Sequence, residues 1–249
     1  DANHSSPPSR IATHSVHFVN ISYMDISEFT DNVSFVCLVH CVNLTIENTV
    51  LNWGLTRYGR LSILSCENIS IFNHTVVGVQ GGTYLHIDRS ERISMEGLNL
   101  ASKKVEIRNS KFCILTKSEE IGHLILWRCN DIRVNSNTID SGTIIKSSNR
   151  VTLDENELSG YYGAIEMEGN CNNITGNWIV GCARGILLSG SRNLISGNRI
   201  DNVDYGISLY GANSCEISGN SISSRSYDII DSNDRRQVVN CTIFNNRMS

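Results

Sequence analysis

The sequence predicts an all-β fold: a single-stranded right-handed parallel β-helix of about ten coils, with a period of about 21–25 residues. Three observations carry that expectation. The hexapeptides ITGNWI, ISGNRI and ISGNSI recur from Ile174, Ile195 and Ile217. A second apolar segment with period-two alternation precedes each of them. The segments between are turns rich in Gly, Ser and Asn, and the only prolines are Pro7 and Pro8.

The hexapeptide generalises to an apolar residue, two positions, Asn, one position and a second apolar residue. In that form it also starts at Val134, Leu153 and Ile243, and its asparagines are Asn137, Asn156, Asn177, Asn198, Asn220 and Asn246. Upstream it starts at Ile46, Ile71 and Met95, with Thr49, His74 and Leu98 in place of Asn. An asparagine stacked on itself in successive coils can pass amide hydrogen bonds along the axis and satisfy turn backbone groups, so the column reads as structural.

The earlier segment alternates through Val36 and Leu38, Leu61 and Ile63, Leu85 and Ile87, Leu124 and Leu126, Ile165 and Met167, Ile186 and Leu188, and Ile207 and Leu209. Alternation of this kind is a strand pattern, not a helical one. A unit of short strands cannot bury its apolar side alone, whereas stacked units bury a continuous core. A leucine-rich horseshoe would need a helical return segment that coils this short do not have. Residues 101–120 break the period: VEIRNSKF fits half a coil, and Met95 to Val134 spans the length of two.

With 249 residues and 40% hydrophobic content the chain suits one domain: an irregular lead-in over 1–15 and a β-helix over 16–249. The formal charge of −4 offers no basic stripe for nucleic acid, and no apolar run approaches the eighteen residues of a membrane span. Starting at Asp1 without a leader, the chain reads as a processed mature chain or a fragment. NxS/T sequons stand at Asn3, Asn20, Asn32, Asn43, Asn68, Asn73, Asn173 and Asn240. They point to an extracellular location or to the surface of a cell or virion.

Nine cysteines without paired CxxC motifs disfavour zinc. The residue five before each strand template is Cys41, Cys66, Ser90, Cys129, Ser148, Gly169 or Gly190, a column of small side chains. Equivalent Cα atoms about 5 Å apart allow a Cys41–Cys66 disulfide; the alternative is a ladder of buried thiols packing as small apolar groups.

The segment GILLSGSRNLISGNRIDNVDYGISLYGANSCEISGNSI, Gly185 to Ile222, resembles the parallel β-helix repeats of the pectate-lyase-like superfamily. The pattern is similar to carbohydrate-binding and sugar-hydrolase repeats also seen in periplasmic copper-maturation proteins. The resemblance implies a fold and a relation to carbohydrate rather than one reaction. Polygalacturonase-like members carry Asn-Thr-Asp, Gly-His-Gly and Arg-Ile-Lys strings, and epimerase-like members carry Asp-Pro-His-Asp; none occurs here. Pectate-lyase-like members bind calcium through clustered acids beside an arginine. The nearest counterpart, Asp228, Asp231 and Asp234 with Arg235 and Arg236, reads as a loop, so no cofactor or metal is expected.

On the earlier strand the residues that alternate with the core form one outward strip: His86 and Asp88, Trp127, Lys146, Glu166 with Glu168, and Tyr210. Glu166 and Glu168 would stand roughly 7 Å apart, a separation at which paired carboxylates act as acid and base on a glycosidic bond. Trp127 and Tyr210 could stack on sugar rings. The plainer reading pairs Lys146 with a glutamate on a solvated face.

The function expected first is that of an extracellular structural or adhesive solenoid that presents or contacts glycans and associates end to end through its open coil edges. The alternatives are a polysaccharide lyase or hydrolase using Glu166 and Glu168, and a non-catalytic glycan-binding module.

Overall fold

The computed structural model describes residues 15–19, 22–27, 30–31, 35–48, 50–52, 60–77, 83–231 and 238–249. Every pairing between its strands is parallel, and each strand pairs with the equivalent segment of the next coil. The expected parallel β-helix is thus the observed fold. Each coil contributes three strand segments, here called faces A, B and C in chain order. Among the described residues face B is an 11-stranded sheet, a count that differs only slightly from the ten coils expected. Faces A and C join as one 18-stranded sheet, because strands such as Arg199–Asn213 run from C into A without a break.

The apolar alternation produces the core in register. Leu61 pairs with Leu85 and Ile63 with Ile87 on face A, and Ile174 pairs with Ile195 and Ile195 with Ile217 on face B. On face C, Ile179 pairs with Ile200 and Ile200 with Ile222. These side chains are almost entirely buried. Burying one aliphatic side chain of this size contributes about 1.5–3 kcal/mol, and here the gain repeats in every coil.

Residues 101–120, where the sequence period breaks, form a whole coil, and Met95 to Val134 spans two coils as its length implies. Met95 pairs with Leu115 and Leu115 with Val134, through a three-residue strand, Ile114–Thr116. The hexapeptide template misses it for two local reasons. Ser118 takes the asparagine's place, and the inward residue after it, Ile121, comes one position late yet still pairs with Ile139.

The asparagine column lies at the turn from B to C, immediately after residues in the left-handed region: Ser136, Glu155, Gly176, Gly197, Gly219 and Asn245. Side chains other than Gly adopt that conformation at a cost, and the buried amide bonds that follow offset it. Asn156 N–H and Nδ2 both donate to Asn177 Oδ1, at 2.9 and 3.0 Å, and Nδ2 also donates to Val134 O at 3.0 Å. The same pattern runs from Asn137 to Asn246 and continues upstream through Ser118, whose Oγ accepts from Leu98 N–H at 3.2 Å.

A second ladder lies at the turn from A to B and contains the expected column of small residues. Cys41 N–H donates to Cys66 Sγ at 3.3 Å, Cys66 N–H to Ser90 Oγ at 3.1 Å, and Ser90 N–H to Ser110 Oγ at 3.2 Å. The expected Cys41–Cys66 disulfide is not formed in the structure, where the nine cysteines carry no disulfide. The thiols are also more than small apolar groups, because they hydrogen-bond as the serines of the same column do. Burial pushes the Cys66 thiol up to about 11. Glycines take the column where coils approach too closely for any side chain: a Cβ at Gly169 would lie 1.8 Å from Ser148 O. There Asn172 and Asn193 supply the acceptors instead.

Of the expected lead-in 1–15, only Ser15 lies within the described residues, at the start of the strand Ser15–Val19. The sequons Asn3, Asn20 and Asn32 also lie outside them. Asn68 Nδ2 donates to Asn43 Oδ1 at 3.0 Å, Asn73 Nδ2 donates to Asn48 Oδ1 at 3.2 Å, and Asn173 and Asn240 are exposed. Among the described residues no helix is long and apolar enough to cross a membrane.

Candidate glycan-contacting face

The outward residues of face A form two adjacent rows. Asp88, Arg108, Trp127, Lys146 and Glu168 succeed one another in one row; His86, Glu106, Ile125, Ile144, Glu166 and Leu187 do so in the other. The structure therefore brings six of the seven candidate residues into two neighbouring rows. Tyr210, partly buried, lies further along on the strand Arg199–Asn213.

Around His86 the strip is a dense ion network. Glu106 is buried and accepts from Arg108 Nε at 2.9 Å, with Lys104 Nζ at 3.7 Å and His86 Nδ1 at 3.4 Å from its carboxylate. Burial alone would raise the Glu106 carboxyl, but the cations of Arg108 and Lys104 outweigh it and hold the group below its ordinary value. His86 is held low, first by burial and then by the Arg60 charge. Asp88 accepts from Asn109 Nδ2 at 2.8 Å and from Arg89 Nε at 3.1 Å. The Trp127 ring carries the guanidiniums of Arg108 and Arg128, 4.9 and 5.3 Å from its centroid, and these compete with any sugar for its face.

Glu166 and Glu168 both point outward from the strand Gly163–Asn170, as expected, but their surroundings differ. Glu166 pairs with Lys146 at 3.2 Å, and both side chains are nearly half exposed. It also lines an open groove of about 480 Å³, while Glu168 does not. The geometry thus supports the plainer ion pair and leaves the two carboxylates in different settings.

That groove was not legible in the strip. Its floor is Thr143, Ile144 and Leu187, and its rim carries His123, Glu166 and Arg184. One wall is the turn 159–162, where Tyr161 and Tyr162 are 85% and 82% exposed, their rings edge to face with centroids 4.9 Å apart. The turn can close there because Gly142 has φ +93 and a Cβ on it would lie 2.4 Å from Gly163 O. Thr143 Oγ1 is buried and lacks a hydrogen-bond partner, and Arg184 has no salt bridge among the described residues. Burial and the charge of Lys104 lower His123. The groove therefore offers two exposed rings, an apolar floor and one unpaired cation, while the buried Thr143 hydroxyl is turned to the core side. The sequence signal for it was the YY dipeptide in LSGYYGAI, adjacent aromatics in a turn with no core to enter.

In the acidic segment that reads as a loop, Asp228 accepts from Ser224 N–H and Oγ at 3.2 and 2.8 Å, while Asp234, Arg235 and Arg236 lie outside the described residues.

Several solved structures share this architecture at low identity. An exopolygalacturonase from Thermotoga maritima aligns with a TM-score of 0.63 at 10% identity, over 94% of this chain and 81% of its own. The periplasmic alginate epimerase AlgG aligns at 0.64 and 12% identity, over 94% of this chain and 78% of its own. A tailspike protein of E. coli bacteriophage HK620, in complex with a pentasaccharide, aligns at 0.62 and 10% identity, and the chain spans only 60% of its length. These are right-handed β-helix proteins of the superfamily that the repeats resemble, and at such identities the likeness is one of fold. No curated protein sequence matches the chain.

A family model described as periplasmic copper-binding protein (NosD) matches residues 97–249, more than half of the chain. The described residues hold no group of three or more His, Cys, Asp or Glu side chains suited to a metal ion, and the thiols are dispersed along the solenoid, so they do not fit such a centre. The match covers the asparagine-ladder coils and the Tyr161–Tyr162 groove alike, and by it the chain belongs to the NosD family.

Proposed function

We propose that this chain is a rigid, extracytoplasmic solenoid that contacts glycans on face A, with the groove under Tyr161 and Tyr162 as the contact site. The observation that carries the reading is the pair of exposed tyrosines over an apolar floor, flanked by Arg184 and Glu166. Sugar rings present apolar C–H faces and hydroxyl edges, and exposed aromatics with a few convergent polar groups match both. The β-helix neighbours support the reading because they are an exopolygalacturonase, an alginate epimerase and a tailspike in complex with a pentasaccharide. The family description, with its periplasmic members, supports a location outside the cytoplasm.

Contact is preferred to catalysis because Glu166 is ion-paired and Glu168 stands outside the groove. Affinity electrophoresis through gels containing alginate, polygalacturonate or a neutral glucan tests the reading. Retardation in at least one gel that disappears in Tyr161→Ala/Tyr162→Ala, with no change in melting temperature, is the expected result. Equal mobility in every gel would reject it. Release of reducing ends that stops in Glu166→Gln would favour the hydrolase reading instead.

The proposal also includes end-to-end association of the rods. Sedimentation velocity over a hundredfold concentration range is expected to show a growing sedimentation coefficient, and a constant monomer value removes this part.

A further inference from the structure

At the A-to-B turn, cysteines stack in consecutive coils at two places among the described residues: Cys41 with Cys66 in the small-residue column, and Cys215 with Cys241 in the neighbouring column of Asn172 and Asn193. In the second pair Cys215 N–H donates to Cys241 Sγ at 3.4 Å. Glu216 pairs with Thr242 and Asn213 bridges to Val239, so Cys215 and Cys241 are equivalent positions of stacked coils. Stacked parallel strands lie about 4.8 Å apart, within the Cα separations of about 4.4–6.8 Å that disulfides span. The pairs differ in access. Cys41 and Cys66 are 0% and 2% exposed, while Cys241 is only partly buried over the buried Cys215.

We propose that Cys215 and Cys241 are a cross-linking site, closed by exchange with a small disulfide, that staples coil 238–249 to the coil before it, while the equally stacked Cys41–Cys66 pair stays a dithiol. The steps balance as ordinary thiol–disulfide exchange. The Cys241 thiolate attacks the reagent RSSR, forming a mixed disulfide and releasing one thiolate. Cys215 gives up its proton and attacks the Cys241 sulfur, forming the Cys215–Cys241 bond and releasing the second thiolate. The protein loses two hydrogens, and RSSR becomes two RSH. The second step is the slow one, because burial raises the Cys215 thiol above its ordinary value. Closure therefore accelerates with pH. An extracytoplasmic compartment supplies oxidants of this class.

The bond would secure a coil that is otherwise joined by short pairings, Glu216–Ser218 on Thr242–Phe244 and Ser221 and Ile222 on Arg247 and Met248. The test incubates the folded chain with oxidised glutathione at pH 7 and pH 8.5, alkylates it, and measures intact mass and peptide maps. The expected product lacks two alkylatable thiols, maps to Cys215–Cys241, and forms several-fold faster at the higher pH. Cys215→Ser is expected to accumulate a glutathione adduct on Cys241. Hydrogen exchange in 238–249 is expected to slow on oxidation of the wild type, a readout that needs no variant. A stable Cys241 adduct in the wild type, a bridge at Cys41–Cys66 instead, or no reaction would each overturn the proposal.

Discussion

The side-chain amide of Asn177 and its own backbone N–H both donate to Oδ1 of Asn198, each at 3.0 Å. Asn177 in turn accepts from the N–H and the amide of Asn156 at 2.9 and 3.0 Å, so one buried side chain completes turns in two coils. Removing it in Asn177→Ala leaves the Asn156 donors buried without an acceptor, at about 1–3 kcal/mol for each unsatisfied group. The expected loss is roughly 2–5 kcal/mol in urea unfolding. Asn177→Asp keeps the acceptor but buries a charge, so it should be less stable than wild type at pH 7 and recover part of the difference near pH 4. An Asn177→Ala midpoint unchanged within error would show that the ladder is not what holds these turns.

The sequence made this ladder legible because its geometry is local. A left-handed residue followed by Asn and then an inward apolar residue repeats at fixed spacing, and stacking in register then follows from burying Ile174, Ile195 and Ile217 together. Where the same function is met by another residue, the pattern hides it. Ser118 replaces Asn and Ile121 slips by one, so a complete coil read as a break in the period. The outward strip was legible for the same reason of alternation, but its chemistry was not. Which carboxylate lines a groove depends on where the turn 159–162 folds back, and neither the tyrosine wall nor the Arg108 and Arg128 contacts to Trp127 have any period to reveal them.

Acid should weaken the fold through face A. Both His86 and Glu106 have folded-state values below their ordinary ones, His86 first through burial and Glu106 through the cations that outweigh burial. For each group the unfolded chain binds the proton more readily, so stability rises with pH across the interval between the two values. The His86 contribution is fully present above about 6.5 and fades as pH falls through its lowered value; that of Glu106 fades below 4.5. Melting temperature from pH 8 to pH 4 should fall in two stages, and His86→Gln should flatten the upper stage while leaving the lower one. An identical profile for wild type and variant would mean that His86 titrates as it does in the unfolded chain.

Cys129 separates the two readings of the thiol column. Its thiol, raised to about 11 by burial, donates to Ile107 O at 3.2 Å and to Trp127 O at 3.5 Å, while its own N–H donates to Ser148 Oγ at 3.0 Å. If the column merely packed small apolar groups, Cys129→Ala would cost little and Cys129→Ser would cost more, since burying a hydroxyl is unfavourable. If the column works through hydrogen bonds, the order reverses. Serine already fills the equivalent positions at Ser110 and Ser148 and can donate and accept in the same directions. Alanine removes the thiol's hydrogen bonds to Ile107 O and Trp127 O, at about 1 kcal/mol each. The geometry favours the second order, with Cys129→Ser within about 1 kcal/mol of wild type and Cys129→Ala clearly below it. Urea unfolding of the two variants side by side decides the matter, and a more stable alanine variant would return the column to plain packing.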